Sequence, residues 1–240
     1  MKNLSLNFLC LSLIFCSTSS FSASISNMPA TFLDAEIPNT HLVSENVIRG
    51  MAPRNVLDLQ KLLDLGVQKF LMFKIDTNGD IAKEMAQLQT LGVSDKNMLH
   101  LEFPWQNITD FNSVCEMTVE ALNVIKASDL KAEKIYFHCT VGEDRTGYLA
   151  GLYKIYSQSG ETREEVFENE MCDKGYEAGN PKKIYSVVKK IRDGLTPAFL
   201  GMADLIEKSA GKKLTKSSCK NLVIPKVNYE KFSCKKSKLL

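Results

Sequence analysis

The chain has 240 residues, 44% of them hydrophobic and 24% charged, with a formal net charge of +2. This excludes a disordered, collagen-like or multi-span membrane chain, and so small a charge argues against a nucleic-acid partner. The charge is unevenly placed: residues 211–240 hold nine lysines and one glutamate, so an acidic body ends in a basic tail.

Residues 1–23 read as a secretory leader. Lys2 supplies the positive start, Leu4 to Phe15 an apolar run, and Phe21-Ser22-Ala23 the small residues of a cleavage site. The run is shorter than the ~20 residues a spanning helix needs, so stable membrane insertion is not expected. Lipoprotein processing at Cys16 is disfavoured by the bulky Phe15 before it. The expectation is an exported protein, periplasmic or secreted, with action after delivery to another cell as a further option.

Residues 24–46 form an irregular lead-in broken by Pro29 and Pro38. Val47-Ile48-Arg49 reads as a short strand before a Gly50/Pro53 turn. Asn55 caps a helix with Val56, Leu59, Leu62 and Leu63 on one face, closed by Gly66. Val67 to Ile75 is a buried strand, Asn78-Gly79-Asp80 turns into a helix ending near Gly92, and Met98 to Phe103 is the next strand, stopped by Pro104. A third helix spans Phe111 to Ala127, and Lys134 to His138 is a short β-rich run. A helix from Gly147 to Ser157 follows. Thr162 with Glu165 makes a capping box, and Asn180-Pro181 and Thr196-Pro197 each read as an N-cap and first helical position.

Strands alternating with helices, then a helical C-terminal half, predict an α/β fold: a central, mostly parallel sheet flanked by helices. The expected division is one domain over 47–210 and a basic extension over 211–240 with little core of its own.

Without the leader, Cys115, Cys139, Cys172, Cys219 and Cys234 remain. An odd count in an oxidising compartment implies a free thiol or an intermolecular bond. If Cys139 is free, the other four allow three pairings, among which Cys219–Cys234 would staple the tail locally. With no C-x-x-C and three histidines, a structural zinc site is not expected. No cofactor is expected either.

The chemistry concentrates in Tyr136-Phe137-His138-Cys139-Thr140-Val141-Gly142-Glu143-Asp144-Arg145-Thr146-Gly147. A cysteine ends a strand, an arginine six residues later begins a helix, and a glycine relieves the loop between them. Main-chain N–H groups from Thr140 through Val141, Gly142, Glu143 and Asp144 to Arg145 can turn inward over the helix's positive end. Arg145 can clasp two oxygens of a phosphate through its planar fork. A thiol below this field favours its thiolate, placing a nucleophile in line with a bound phosphoryl group.

His138-Cys139-x5-Arg145-Thr146 resembles the signature of the cysteine-dependent protein tyrosine and dual-specificity phosphatases. Ile48-Arg49-Gly50 before a proline and Gly66-Val67 before a strand resemble landmarks of the compact and atypical bacterial members. Glu170-Met171-Cys172 and Gly175-Tyr176-Glu177-x-Gly179-Asn180-Pro181 resemble a bacterial secreted subgroup. The resemblance implies Cys139 as nucleophile, Arg145 as phosphate clamp, Thr146 as a thiolate-stabilising hydroxyl and His138 as an organiser of the loop.

It also implies a general acid, commonly an aspartate on the loop after Phe103-Pro104-Trp105, where this chain has Asn107. Two carboxylates stand in its place. Asp110 lies three residues on and doubles as a helix N-cap. Asp144 lies inside the loop, where relatives with Gly-x-Asp-Arg-Thr, and lipid phosphatases with Asp-Arg-Thr, carry an aspartate; it is slightly favoured. Glu143 stands where phosphoinositide-directed relatives often have lysine, which leans the reading toward phosphoproteins, phosphotyrosine or dual-specificity, or small phosphomonoesters. The alternatives are a weak pseudophosphatase that binds phosphorylated ligands, a phosphoinositide or inositol phosphate phosphatase, and a secreted redox thiol protein. The basic tail is a candidate contact for anionic surfaces.

Overall fold

The computed structural model describes residues 37–235. The leader at 1–23 and the lead-in as far as residue 36 lie outside the described residues. Five strands form one sheet in the order β1-β2-β5-β3-β4. β2 (Val47–Met51), β3 (Val67–Phe73), β4 (Met98–Leu101) and β5 (Lys134–Cys139) run parallel, and β1 (His41–Leu42) pairs antiparallel with β2 at one edge.

A parallel sheet needs both faces covered, and the strand sequences supply apolar side chains to both. Val47, Leu71, Phe73, Ile135 and Phe137 enter one core; Ile48, Phe70, Met72, Met98 and Tyr136 enter the other. The second core is closed by α1 (Val56–Asp64) and α2 (Asp80–Thr90), through Leu59, Leu62, Ile81 and Leu88. The first is larger and takes α3 (Phe111–Leu130), α4 (Asp144–Tyr156), α5 (Arg163–Val166) and α6 (Tyr185–Lys208). No described helix is long and apolar enough to cross a membrane.

Asn55 caps α1 as its sequence implies, its side chain accepting from Leu57 and Asp58 N–H, but Val56 stays exposed rather than joining the buried face. β3 stops at Phe73, short of Ile75; Lys74 keeps one main-chain bond to Leu101 at 3.1 Å, and its buried ammonium pairs with Asp80 at the start of α2. β4 likewise stops before Phe103, whose ring stacks on Phe73 at 4.0 Å.

Two helix starts expected in the C-terminal half do not form. Asn180-Pro181 opens no helix: the Asn180 side chain is engaged by Glu143 and Lys182 N–H, and α6 begins at Tyr185. Thr196-Pro197 lies inside α6 rather than at a helix start. Pro197, itself buried, removes the N–H that would bond the carbonyl of the exposed Asp193, and Leu195, Phe199 and Met202 around it are buried too. Thr196 instead shares a hydrogen bond with the Tyr176 hydroxyl at 3.0 Å.

Cys219–Cys234 does not form. The disulfides are Cys115–Cys219 and Cys172–Cys234, and Cys139 is free. Each tail cysteine is tied to the body instead of to its neighbour, because the tail lies on the body: Leu214, Cys219, Phe232 and Cys234 are buried in the larger core.

Candidate active site

β5 ends at Cys139 between β2 and β3, two strands that precede it in the chain. The site thus stands at the carboxyl edge of a parallel sheet where the strand order switches, the usual location of a binding crevice. The loop then turns directly into α4, which is buried along most of its length and presents its N-terminus to that edge.

Four successive loop carbonyls are held from outside the loop. Ala52 N–H donates to the Thr140 oxygen at 3.3 Å and Asn39 Nδ2 to that of Val141 at 2.7 Å. Arg49 Nη2 donates to Gly142 at 2.9 Å and Glu143 at 3.3 Å. In a trans peptide the carbonyl and the following N–H point oppositely, and no peptide bond here is cis. Outward carbonyls therefore turn the N–H groups of Val141, Gly142, Glu143 and Asp144 inward, and Gly142 N–H lies 3.3 Å from Cys139 Sγ. The result is a concave row of donors over the sulfur, closed by the partial positive charge of the helix end.

Gly142 is required twice over. Its φ is +81°, and a Cβ there would lie 2.5 Å from the backbone of Gly50 and Met51. Gly50 in turn has no room, since a Cβ would meet the Tyr136 hydroxyl at 2.1 Å. The two glycines let the loop lie against the end of β2.

Cys139 is 3% exposed. Burial alone pushes its thiol up; the Arg145 charge, the Thr146 hydroxyl and the Gly142 N–H outweigh it and hold the thiol below its ordinary value. Arg145 is anchored to the Phe103 carbonyl at 3.3 Å and to Thr140 Oγ1 at 3.0 Å. Thr146 Oγ1 accepts from Cys139 N–H at 3.0 Å, which leaves its hydroxyl proton for the sulfur. His138 is wholly buried beneath the loop, with Nδ1 at 3.1 Å from the Cys139 carbonyl.

The two acid candidates part company. Asp110 is exposed and caps α3, accepting from Asn112 and Ser113 N–H at 3.1 Å each. It does not line the pocket, and neither does Asn107, an exposed residue with φ +54°. Asp144 does line it. Its Oδ1 accepts from Glu177 N–H at 2.9 Å and Lys183 Nζ at 2.6 Å. Burial raises the Asp144 carboxyl above the ordinary value despite Lys183.

The pocket above Cys139 has a volume of about 400 Å³. Outside the loop its walls are Trp105, Asn180, Lys183 and Val187. Glu143 also lines it, but its charge is compensated: Lys183 Nζ lies 2.8 Å from Oε2 and Asn180 Nδ2 2.9 Å from Oε1. Sequence reasoning gave no role in the site to Arg49 and Asn180, noted only as part of Ile48-Arg49-Gly50 and as a helix N-cap, and did not single out Lys183, one of several lysines around a proline.

No family model matches the sequence, and no curated protein matches it. Among solved structures, TpbA of P. aeruginosa is similar over 71% of this chain and 93% of its own, at 22% identity and a TM-score of 0.48. A cysteine-to-serine form of that protein has been solved with pTyr. The core catalytic domain of the PP-IP phosphatase SIW14 from S. cerevisiae is similar over 65% of this chain and 85% of its own, at 19% identity and a TM-score of 0.45. A DUF442 protein of Shewanella putrefaciens is similar over 75% of this chain and 99% of its own, at 16% identity and a TM-score of 0.49.

Proposed function

We propose that this protein is a cysteine-dependent phosphatase that hydrolyses phosphomonoesters through a phosphocysteine. One observation carries the reading: a buried thiol held below its ordinary pKa beneath four inward N–H groups, with Arg145 alongside. Such a bowl holds a tetrahedral anion and stabilises the charge that spreads over the equatorial oxygens during transfer.

Cys139 Sγ attacks phosphorus and the P–O bond to the leaving group breaks, its electron pair passing to that oxygen. Asp144 supplies the proton. Both donors to this carboxyl act on Oδ1, so the proton resides on Oδ2. Water then attacks the phosphocysteine, giving its proton to the Asp144 carboxylate; phosphate leaves and the thiolate returns. No metal enters these steps.

The apolar Trp105 and Val187, and a Lys183 already engaged by Glu143 and Asp144 rather than free for a second phosphate, favour a substrate with one phosphate on an uncharged carrier, phosphotyrosine or another phosphoprotein ester, over a polyphosphorylated inositol. Two disulfides suit the oxidising compartment that the leader implies.

The test is hydrolysis of p-nitrophenyl phosphate in EDTA. Turnover that falls by at least about 10³-fold in Cys139→Ser, and by roughly 10²-fold in Arg145→Lys, is expected. Retained vanadate binding with no turnover by the unaltered chain would replace the enzyme by a phosphate-binding module.

A further inference from the structure

α2 turns the face carrying Ile81, Glu84 and Leu88 into the core, and all three are buried. At the middle position an apolar side chain would be the ordinary choice, since a buried carboxylate is costly unless paired. The start of the helix is pinned by the ion pair of Asp80 with Lys74. Glu84 Oε1 lies 2.9 Å from His138 Nε2, and the other ring nitrogen faces the Cys139 carbonyl at 3.1 Å.

These two contacts define a protonation state. A carbonyl oxygen and a carboxylate oxygen are both acceptors, while a neutral imidazole has a single N–H. Satisfying both requires two N–H donors, hence an imidazolium. Burial opposes this charge, and Glu84, with the Cys139 carbonyl, outweighs the opposition.

We propose that Glu84 is a positioning residue for the nucleophile: it holds His138 as an imidazolium that grips the Cys139 main chain and adds a positive charge to those of Arg145 and Arg49 on the thiolate. The proposal rests on the phosphatase reading only for its consequence in turnover. The titratable groups facing the pair are Cys139 and Tyr136 from β5, the Tyr136 ring lying 5.8 Å from that of His138; Arg145 from α4 and Arg49 from β2 act on the Cys139 thiol. Arg49 and Arg145 remain when Glu84 is neutralised, so the thiolate keeps part of its stabilisation.

The experiment is the rate of Cys139 alkylation by iodoacetamide as a function of pH, in the unaltered chain, Glu84→Gln, His138→Asn and the double variant. Gln keeps the shape of Glu84 and removes its charge. The midpoint is expected to rise by about one pH unit in each single variant, roughly tenfold in thiolate fraction below the midpoint, with no further rise in the double variant. If the substrate is turned over, kcat/KM of Glu84→Gln falls about tenfold at low pH and recovers above the new midpoint. An unmoved midpoint, additive shifts, or a loss equal at every pH would overturn the proposal. Alkylation needs no turnover, so failure of the phosphatase reading leaves this test intact. Should Glu84→Gln not fold, nitrogen NMR of His138 in the unaltered chain decides the matter: two protonated ring nitrogens through neutral pH are expected, and a neutral ring there refutes it.

Discussion

Asp144, inside the Cys139–Arg145 loop, and Asp110, five residues after Trp105, are chemically identical, yet their surroundings assign them different work. Asp110 spends its carboxylate on two N–H groups at the start of α3, a bond whose loss to alanine costs about 1 kcal/mol. Asp144 sits by the thiol with a raised pKa. Asp144→Asn is expected to slow alkyl phosphates far more than p-nitrophenyl phosphate, whose leaving group hardly needs a proton. Asp110→Ala is expected to lower Tm by about 2–4 °C without that distinction between substrates. Kinetics of both variants on both esters, with thermal melts, check the assignment. Glu143 shows how far a single residue can mislead: read along the chain it is a bare anion at the rim, whereas in the fold it is matched by Lys183 and Asn180.

Among the elements, the segment between α5 and α6 does more than its sequence implies. Glu170 pairs with the buried Arg49 at 3.6 Å, and Glu177 donates its N–H to Asp144 while its carboxylate accepts from Cys234 N–H at 2.7 Å and pairs with Arg192. The Cys172–Cys234 disulfide thereby braces the residue that holds the proposed acid. The two cross-links close 104 and 62 residues, and in the chain-entropy picture each contributes about 4–5 kcal/mol, less when combined because the loops interleave. Alanine at both Cys115 and Cys219 is expected to lower Tm alone. Alanine at both Cys172 and Cys234 is expected to lower Tm and also to depress alkyl-phosphate turnover. Equal kinetic effects from the two pairs would show that the brace does not reach Asp144. α6 is the element least legible beforehand, because a proline that ordinarily starts or breaks a helix is carried inside one by the burial of its neighbours.

At the scale of the whole molecule, the proposed mechanism makes two titrations set the pH response. Cys139 must be ionised, so the acidic limb of kcat/KM rises through a thiol pKa lowered from 9.0. Asp144 must be protonated, so the basic limb falls through a carboxyl pKa raised from 3.8. The expected profile is a bell displaced toward acid relative to a free thiol. Asp144→Asn should flatten its basic side, which a pH–rate series on both proteins checks.

The α/β architecture, most element positions and the Cys139–Arg145 loop were legible in the linear order, because apolar periodicity, caps and a strand–loop–helix motif are local properties of the chain. The run from Val67 to Ile75 declares a buried strand without help from any other segment, though not its end at Phe73, and Gly142 declares a tight loop. What encloses the loop was not legible. Arg49, Glu84, Glu177 and Lys183 reach it from 33 to 94 residues away in the chain, and the cysteine partners were chosen by where the tail lies on the body. Such pairings depend on which surfaces the folded backbone brings within a few ångströms, a quantity that separation along the sequence does not encode.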